Sequence, residues 1–139
     1  MPEISAVLDT NVIVSAHLKP EGREALILAL ALSGKFTTVV SEELLDEYEG
    51  VLRRPRFGFA AASVTRSVRE IRRAARIVVP KKRLHVTRDP DDNKVLECAV
   101  ESDATYLVTG NTRDFPTQYH AVRIIPPRQF LVILAAHLA

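Results

Sequence analysis

The stretch "AVLDTNVIVSA" (residues 6–16) decides how this chain is read. Its left half is apolar and branched, the pattern of a buried strand, and its right half is apolar with small residues mixed in, the pattern of a short helix. Between them stand Asp9, Thr10 and Asn11. A strand that passes at once into a helix opens a parallel α/β unit. A carboxylate at that turn either caps the helix or serves a site at the strand end.

The same alternation runs along the chain. "ISAVL" (4–8) reads as a strand and "TNVIVSAHL" (10–18) as a helix ended before Pro20. "EGREALILALALSG" (21–34) reads as an apolar helix with Gly34 as its stop, and "FTTVV" (36–40) as a strand. Ser41 is a good N-cap for a helix through "EELLDEYEGVLRR" that stops before Pro55. A loop, "PRFGF", leads to a helix over 61–76, where Val64, Val68, Ile71 and Ala75 form one apolar stripe. "RIVVP" reads as a short strand, "KKR" as a basic turn, and "DPDD" as the opening of a helix through "NKVLECAVESD". "TYLVTG" (105–110) and "AVRII" (121–125) read as strands around the loop "NTRDFP", and "PPRQFLVILAAHLA" as a last helix with proline at its start. Strands alternating with helices predict a parallel sheet covered on both faces. "FLVILAA" (130–136) is apolar all round, so that helix is either deeply packed or covers a partner.

A length of 139 residues suits a single domain, 1–139. Cys98 is the lone cysteine, which excludes an internal disulfide. "MPEISAVLD" has no basic leader and no run reaches a membrane span, so a cytoplasmic location and no membrane partner are expected. The net charge of +2 hides an asymmetry. From Val51 to Arg88 there are 12 basic residues against one acid, Glu70, while the rest of the chain is acidic. Arg66, Arg69, Arg73 and Arg76 share one face of their helix. A polyanion is the partner such a segment suits, with a solvated helix face as the plainer explanation.

In a parallel sheet the crevice at the carboxyl ends of the strands is the usual ligand site. Asp9 ends the first strand, and Asn111 and Asp114 follow "TYLVT". Asp89, Asp91 and Asp92 open the helix feeding that strand, and Glu47 lies about one turn into the helix after the second strand. Each has a duller role: Asp9 as a cap, the acids around Pro90 as turn residues, Glu47 as a surface acid, Asp114 in an Asx turn. Together they point at one crevice. Clustered carboxylates raise one another's pKa unless neutralised, and an all-oxygen donor set suits Mg²⁺ or Mn²⁺ rather than zinc. Acids beside a basic segment suggest metal-assisted cleavage of a phosphodiester.

These pieces, "VLDTNVIVSA", "SEELLDEYEGVL", "DPDDNKVLECAVESDATYLVTGN", "DF" and "PPRQFL", resemble the PIN domain family of metal-dependent nucleases. The likeness covers roughly residues 4–134 and is nearest to single-domain toxin components of type II toxin–antitoxin systems. It implies an α/β/α sandwich around a parallel sheet of about five strands. It implies an acidic site of Asp9, Glu47, Asp92 and Asp114, with Asp9 and Asp92 as the main metal ligands and Asp114 as a further one. Glu47 would orient the attacking water, Thr10 and Asn11 would brace the loop, and Thr109 would support the site through its hydroxyl. Asn111 stands where many members carry an acid, so one metal is the main expectation, with a two-metal site as the alternative. Asp89 ranks below Asp92. The implied substrate is single-stranded or structured RNA, held through Arg66, Arg69, Arg73, Lys81, Lys82 and Arg83. A small antitoxin and a second copy of the chain are the implied partners. The competing reading is a binding module whose nuclease site has decayed. A phosphatase of similar topology fits poorly, since "LDTN" lacks a second aspartate two residues after the first.

Overall fold

The computed structural model describes residues 3–139. The first two residues of "MPEISAVLD", part of the reading on a leader, lie outside them. The elements follow in the order β1 (Ser5–Leu8), α1 (Thr10–Leu18), α2 (Arg23–Leu32), β2 (Thr37–Val40), α3 (Glu42–Leu52), α4 (Ala61–Ala74), β3 (Arg76–Ile77), α5 (Pro90–Ser102), β4 (Tyr106–Val108), β5 (Gln118–Tyr119), β6 (Val122–Ile125) and α6 (Pro127–Leu138). Short 3₁₀ turns occupy Pro55–Phe57 and Thr112–Asp114.

The sheet has six strands in the order β3-β2-β1-β4-β6-β5. Five run parallel, and β5 pairs antiparallel with β6. Three successive residues of β1, Ala6, Val7 and Leu8, are all buried, so helices cover both faces, as the unbroken apolar run requires. Among these helices α5 packs over β1, β2 and β4. The chain moves outward from β1 through β2 to β3, then returns to add β4 on the other side of β1. The carboxyl ends of β1 and β4 therefore flank the point where the winding reverses, which is where a crevice opens in such sheets. Asp9 leaves β1 there, its N–H bonded to the Val108 carbonyl at 2.9 Å.

Several boundaries differ from the sequence reading. α2 begins at Arg23, because Gly22 in extended backbone is its cap and Glu24 favours the first turn. α3 ends at Leu52, and Arg54, extended before Pro55, is already outside it. α4 stops at Ala74, and the strand "RIVVP" shrinks to Arg76–Ile77, pairing only with the end of β2. The hairpin β5–β6 was not foreseen. It turns through His120 in left-handed backbone (φ 52°), a conformation histidine signals weakly in sequence. Gly34 follows α2 at φ 74° and does end it as expected.

The all-apolar helix resolves into two faces. Phe130 and Leu134 are core, with Phe130 edge-on to Phe36 at 5.0 Å, while Val132 is 66% exposed. α3 and α4 run antiparallel: Arg72, late in α4, meets Glu42 at the start of α3, and Arg53, just past α3, reaches Thr65 early in α4. No helix among the described residues is long and apolar enough to cross a membrane.

Candidate active site

The site grows from the end of β1. Asp9 is 5% exposed and caps α1 in extended backbone. Its Oδ1 accepts from the Thr10 N–H at 2.8 Å. Its Oδ2 accepts from the Thr109 hydroxyl at 2.8 Å and from the Asn11 side-chain amide at 3.2 Å. An ionised carboxylate has about four acceptor positions, so Asp9 keeps one beyond its three protein partners. Burial raises its pKa above the ordinary aspartate value, against the pull of these donors.

Thr109 and Asn11 knit the two strand ends together. Thr109 is fully buried just past β4, and its hydroxyl also accepts from the Asn111 N–H at 3.0 Å. Asn11 accepts from the Gly110 N–H at 2.9 Å through Oδ1. Asn111 enters through its backbone, its N–H bonded to the Thr109 hydroxyl and its carbonyl accepting from the Asp114 N–H, and its residue is exposed.

Glu47 comes from α3, whose start is set by Ser41 accepting from the Leu44 N–H at 3.1 Å. Glu47 Oε2 accepts the Thr10 hydroxyl, while Oε1 is buried with no hydrogen-bond partner among the described residues. Burial pushes the Glu47 carboxyl up to about 7, opposed by the Thr10 hydroxyl and reinforced by the charges of Asp91 and Asp9. The next residue, Tyr48, is fully buried and donates its hydroxyl to the Leu8 carbonyl, which ties α3 to the end of β1.

Asp92 stands in the first turn of α5, where Asp89 is the cap, accepting from the Asp91 N–H at 2.9 Å. Burial first, and then the charges of Asp9, Asp89, Asp114 and Glu47, push Asp92 up to about 7. Acids from four segments are therefore close enough to act on one another, although they face different spaces. Asp92 and Asp114 line a cleft of about 570 Å³, with Asp89 beside them. Glu47 and Asp91 open instead on a groove between α3 and α5 of about 420 Å³. Asp9 is buried and lines neither.

The donor chemistry suits a hard divalent cation: oxygen ligands only, mutually repelling carboxyls and a buried carboxylate oxygen without a partner. Among the described residues, however, no three His, Cys, Asp or Glu side chains are gathered tightly enough to hold a metal ion.

The basic residues named from sequence fall elsewhere. Arg66, Arg69 and Arg73 lie exposed on α4, and Lys81 and Lys82 border a separate hollow of about 260 Å³. Arg83 is a structural residue: it reaches Glu43 at 2.8 Å and the buried Glu97 at 3.2 Å. None of the six lines the acidic cleft. Arg88 and Arg113 do, and sequence reasoning passed over them, although each directly precedes an acid, in "RDPDD" and "TRD". Also missed were Tyr48 and Asn93. Asn93 Oδ1 accepts from the Thr87 N–H and hydroxyl, both at 2.9 Å, and so pins the loop before α5. Glu97 does the same nearby, accepting from the Leu84 N–H at 2.8 Å.

With this geometry in view, two comparisons bear on it. The sequence matches the family model described as PIN domain over residues 5–113. It is also 30% identical over 112 residues to an uncharacterized protein of Methanocaldococcus jannaschii, covering 78% of this chain and 72% of that protein.

Proposed function

The chain belongs to the PIN domain family, whose members are generally nucleases that use divalent metal ions, and on that premise we propose that it is a metal-dependent endoribonuclease. The observation that carries the reading is that Asp9, Glu47 and Asp92 form no ion pair among the described residues, while burial and the charges of neighbouring acids push Glu47 and Asp92 up to about 7. Carboxyls held so cost stability unless a cation or a proton compensates them.

Asp9 and Asp92, with Asp114, would hold a Mg²⁺ or Mn²⁺ ion, which supplies charge neutralisation and Lewis acidity at a phosphate oxygen. Thr109 and Asn11 hydrogen-bond the Asp9 carboxylate and so fix its orientation. Glu47 would take the proton of an attacking water, since a base with a pKa near neutrality suits that task. The water oxygen bonds to phosphorus as the phosphorus–oxygen bond to the leaving ribose breaks.

The role of toxin, and a small antitoxin as partner, rest on the sequence resemblance. A homodimer would use the outer face of α2 and α6, where Leu26 and Val132 are exposed. Leu134, buried at 1% exposure, is core and unsuited to testing that contact, whereas Val132→Lys would test it. The second reading, an RNA-binding module without turnover, is favoured by Asn111 and by the lack of a preassembled ligand set among the described residues.

The test is cleavage of a labelled single-stranded RNA in Mn²⁺, Mg²⁺ or EDTA, with Asp9→Asn in parallel. Cleavage that needs both the ion and Asp9 is the expected result. RNA binding without metal-dependent cleavage would favour the second reading.

A further inference from the structure

We propose that the cleft beside the acidic centre seats one nucleotide of the RNA strand, with its phosphates clamped by Arg88 and Arg113. The inference rests on the nuclease reading and assigns that site its grip on substrate.

The cleft, about 570 Å³, falls within the range of roughly 300–1,000 Å³ usual for small-ligand sites. One part of its wall is apolar, from Val86, Phe115 and Pro116, and can receive a base or sugar. Asp92 and Asp114 form another part, and the two arginines complete it.

The arginines are set apart by their place, in the cleft that Asp92 and Asp114 line. Arg53 pairs with Glu49 at 3.0 Å, Arg72 with Glu42 at 2.6 Å and Arg83 with Glu43 at 2.8 Å, so these three are occupied within the fold. Arg88 and Arg113 line a cleft with Asp92 and Asp114, yet neither forms an ion pair or side-chain hydrogen bond among the described residues. Their guanidinium forks remain available to a ligand, and that fork matches a phosphate.

Their backbones are nevertheless held. Arg88 follows Thr87, which Asn93 pins to α5. Arg113 sits in a 3₁₀ turn closed by the Asp114 N–H to the Asn111 carbonyl at 3.0 Å. The two arginines thus come from different segments and meet across one opening. The stripe Arg66, Arg69 and Arg73 lines no part of it.

The test is fluorescence anisotropy of a labelled oligouridine RNA with the full chain in EDTA, titrated with salt. Arg88→Ala/Arg113→Ala is compared with Arg69→Ala/Arg73→Ala, and Arg88→Lys/Arg113→Lys guards against a folding effect. Losing two phosphate contacts lowers the slope of log affinity against log salt by about 1.4 and weakens binding by at least about tenfold. The lysine pair keeps the slope, and the α4 pair keeps both slope and affinity. An unchanged slope in the cleft alanine pair, or an equal loss in the α4 pair, overturns the proposal. So does a chain that binds no RNA. Cleavage assays separate the two claims: metal-dependent cleavage with an unchanged KM in the cleft alanine pair sinks the clamp alone. Binding that depends on the cleft, without any cleavage, sinks the nuclease alone.

Discussion

Two sets of acids in this chain keep opposite electrostatic company. Glu42 and Glu43, at the start of α3, each face an arginine, Arg72 or Arg83, and hydrogen bonding to that arginine lowers each pKa. Asp9, Glu47 and Asp92 have no ion-pair partner among the described residues, and burial first, then the charges of neighbouring acids, raises theirs. Both sets belong to the same fold, and Glu43 and Glu47 lie one turn apart on one helix. Fold stability alone gives no reason to leave the second set unpaired. Uncompensated carboxyls at the point where the sheet reverses its winding are what a cation-using site requires.

The comparison breaks most visibly at Asp9. Asp9→Asn keeps a good helix cap, so the circular dichroism spectrum is retained while RNA cleavage falls to background. Cleavage at the wild-type rate, or loss of the fold, would remove Asp9 from the centre of the account. Thr109→Val strips a buried hydroxyl from Asp9 and should lower cleavage about 10–100-fold, the usual effect of losing a residue that orients a ligand. Glu97→Ala tests the paired side. It leaves the Leu84 N–H and Arg83 without their buried acceptor and should cost about 1–3 kcal/mol in denaturant unfolding.

A pH titration sharpens the contrast. Glu47 and Asp92 have folded values near 7 against ordinary values of 4.5 and 3.8, so the folded state binds more protons than the unfolded state between those limits. In EDTA the melting temperature should therefore fall as pH rises from about 4 to about 7 and then level off, and Asp92→Asn should flatten that fall. A melting temperature that rises over this range would contradict the unpaired state of these acids. The smallest effect is expected at Arg72→Ala: its ion pair with Glu42 is exposed, so melting curve and cleavage should match wild type.

Much of the fold was legible because the strands are branched apolar runs and the helices carry caps and stops such as Ser41 and Gly34. β3 and β5 were harder, since two-residue strands carry no period to read and His120 is not a residue that announces a tight turn. Within the site, Asp9, Glu47 and Asp92 could be named because the alternation of strands and helices brings their segments to one end of a parallel sheet. Their partition between a cleft and a groove depends on how α3 and α5 pack, which no local pattern encodes. The basic residues that line the cleft are the least legible in sequence. A stripe of arginines on α4 is conspicuous in sequence, whereas Arg88 and Arg113 are isolated and meet only through the fold. Arg83 looked like part of a basic turn and instead ties α3 to α5 through Glu43 and Glu97.

The central claim is that a divalent cation is the missing partner of the unpaired acids, and the most direct measurement is the melting temperature at pH 8 with and without Mn²⁺. A ligand that binds only the folded state stabilises by about 2.7 kcal/mol at a hundred times its dissociation constant. The account predicts a clear rise for wild type that saturates with Mn²⁺, a much smaller rise for Asp9→Asn and Asp92→Asn, and an undiminished rise for Arg72→Ala. No rise in wild type, or the same rise in all four proteins, would contradict it.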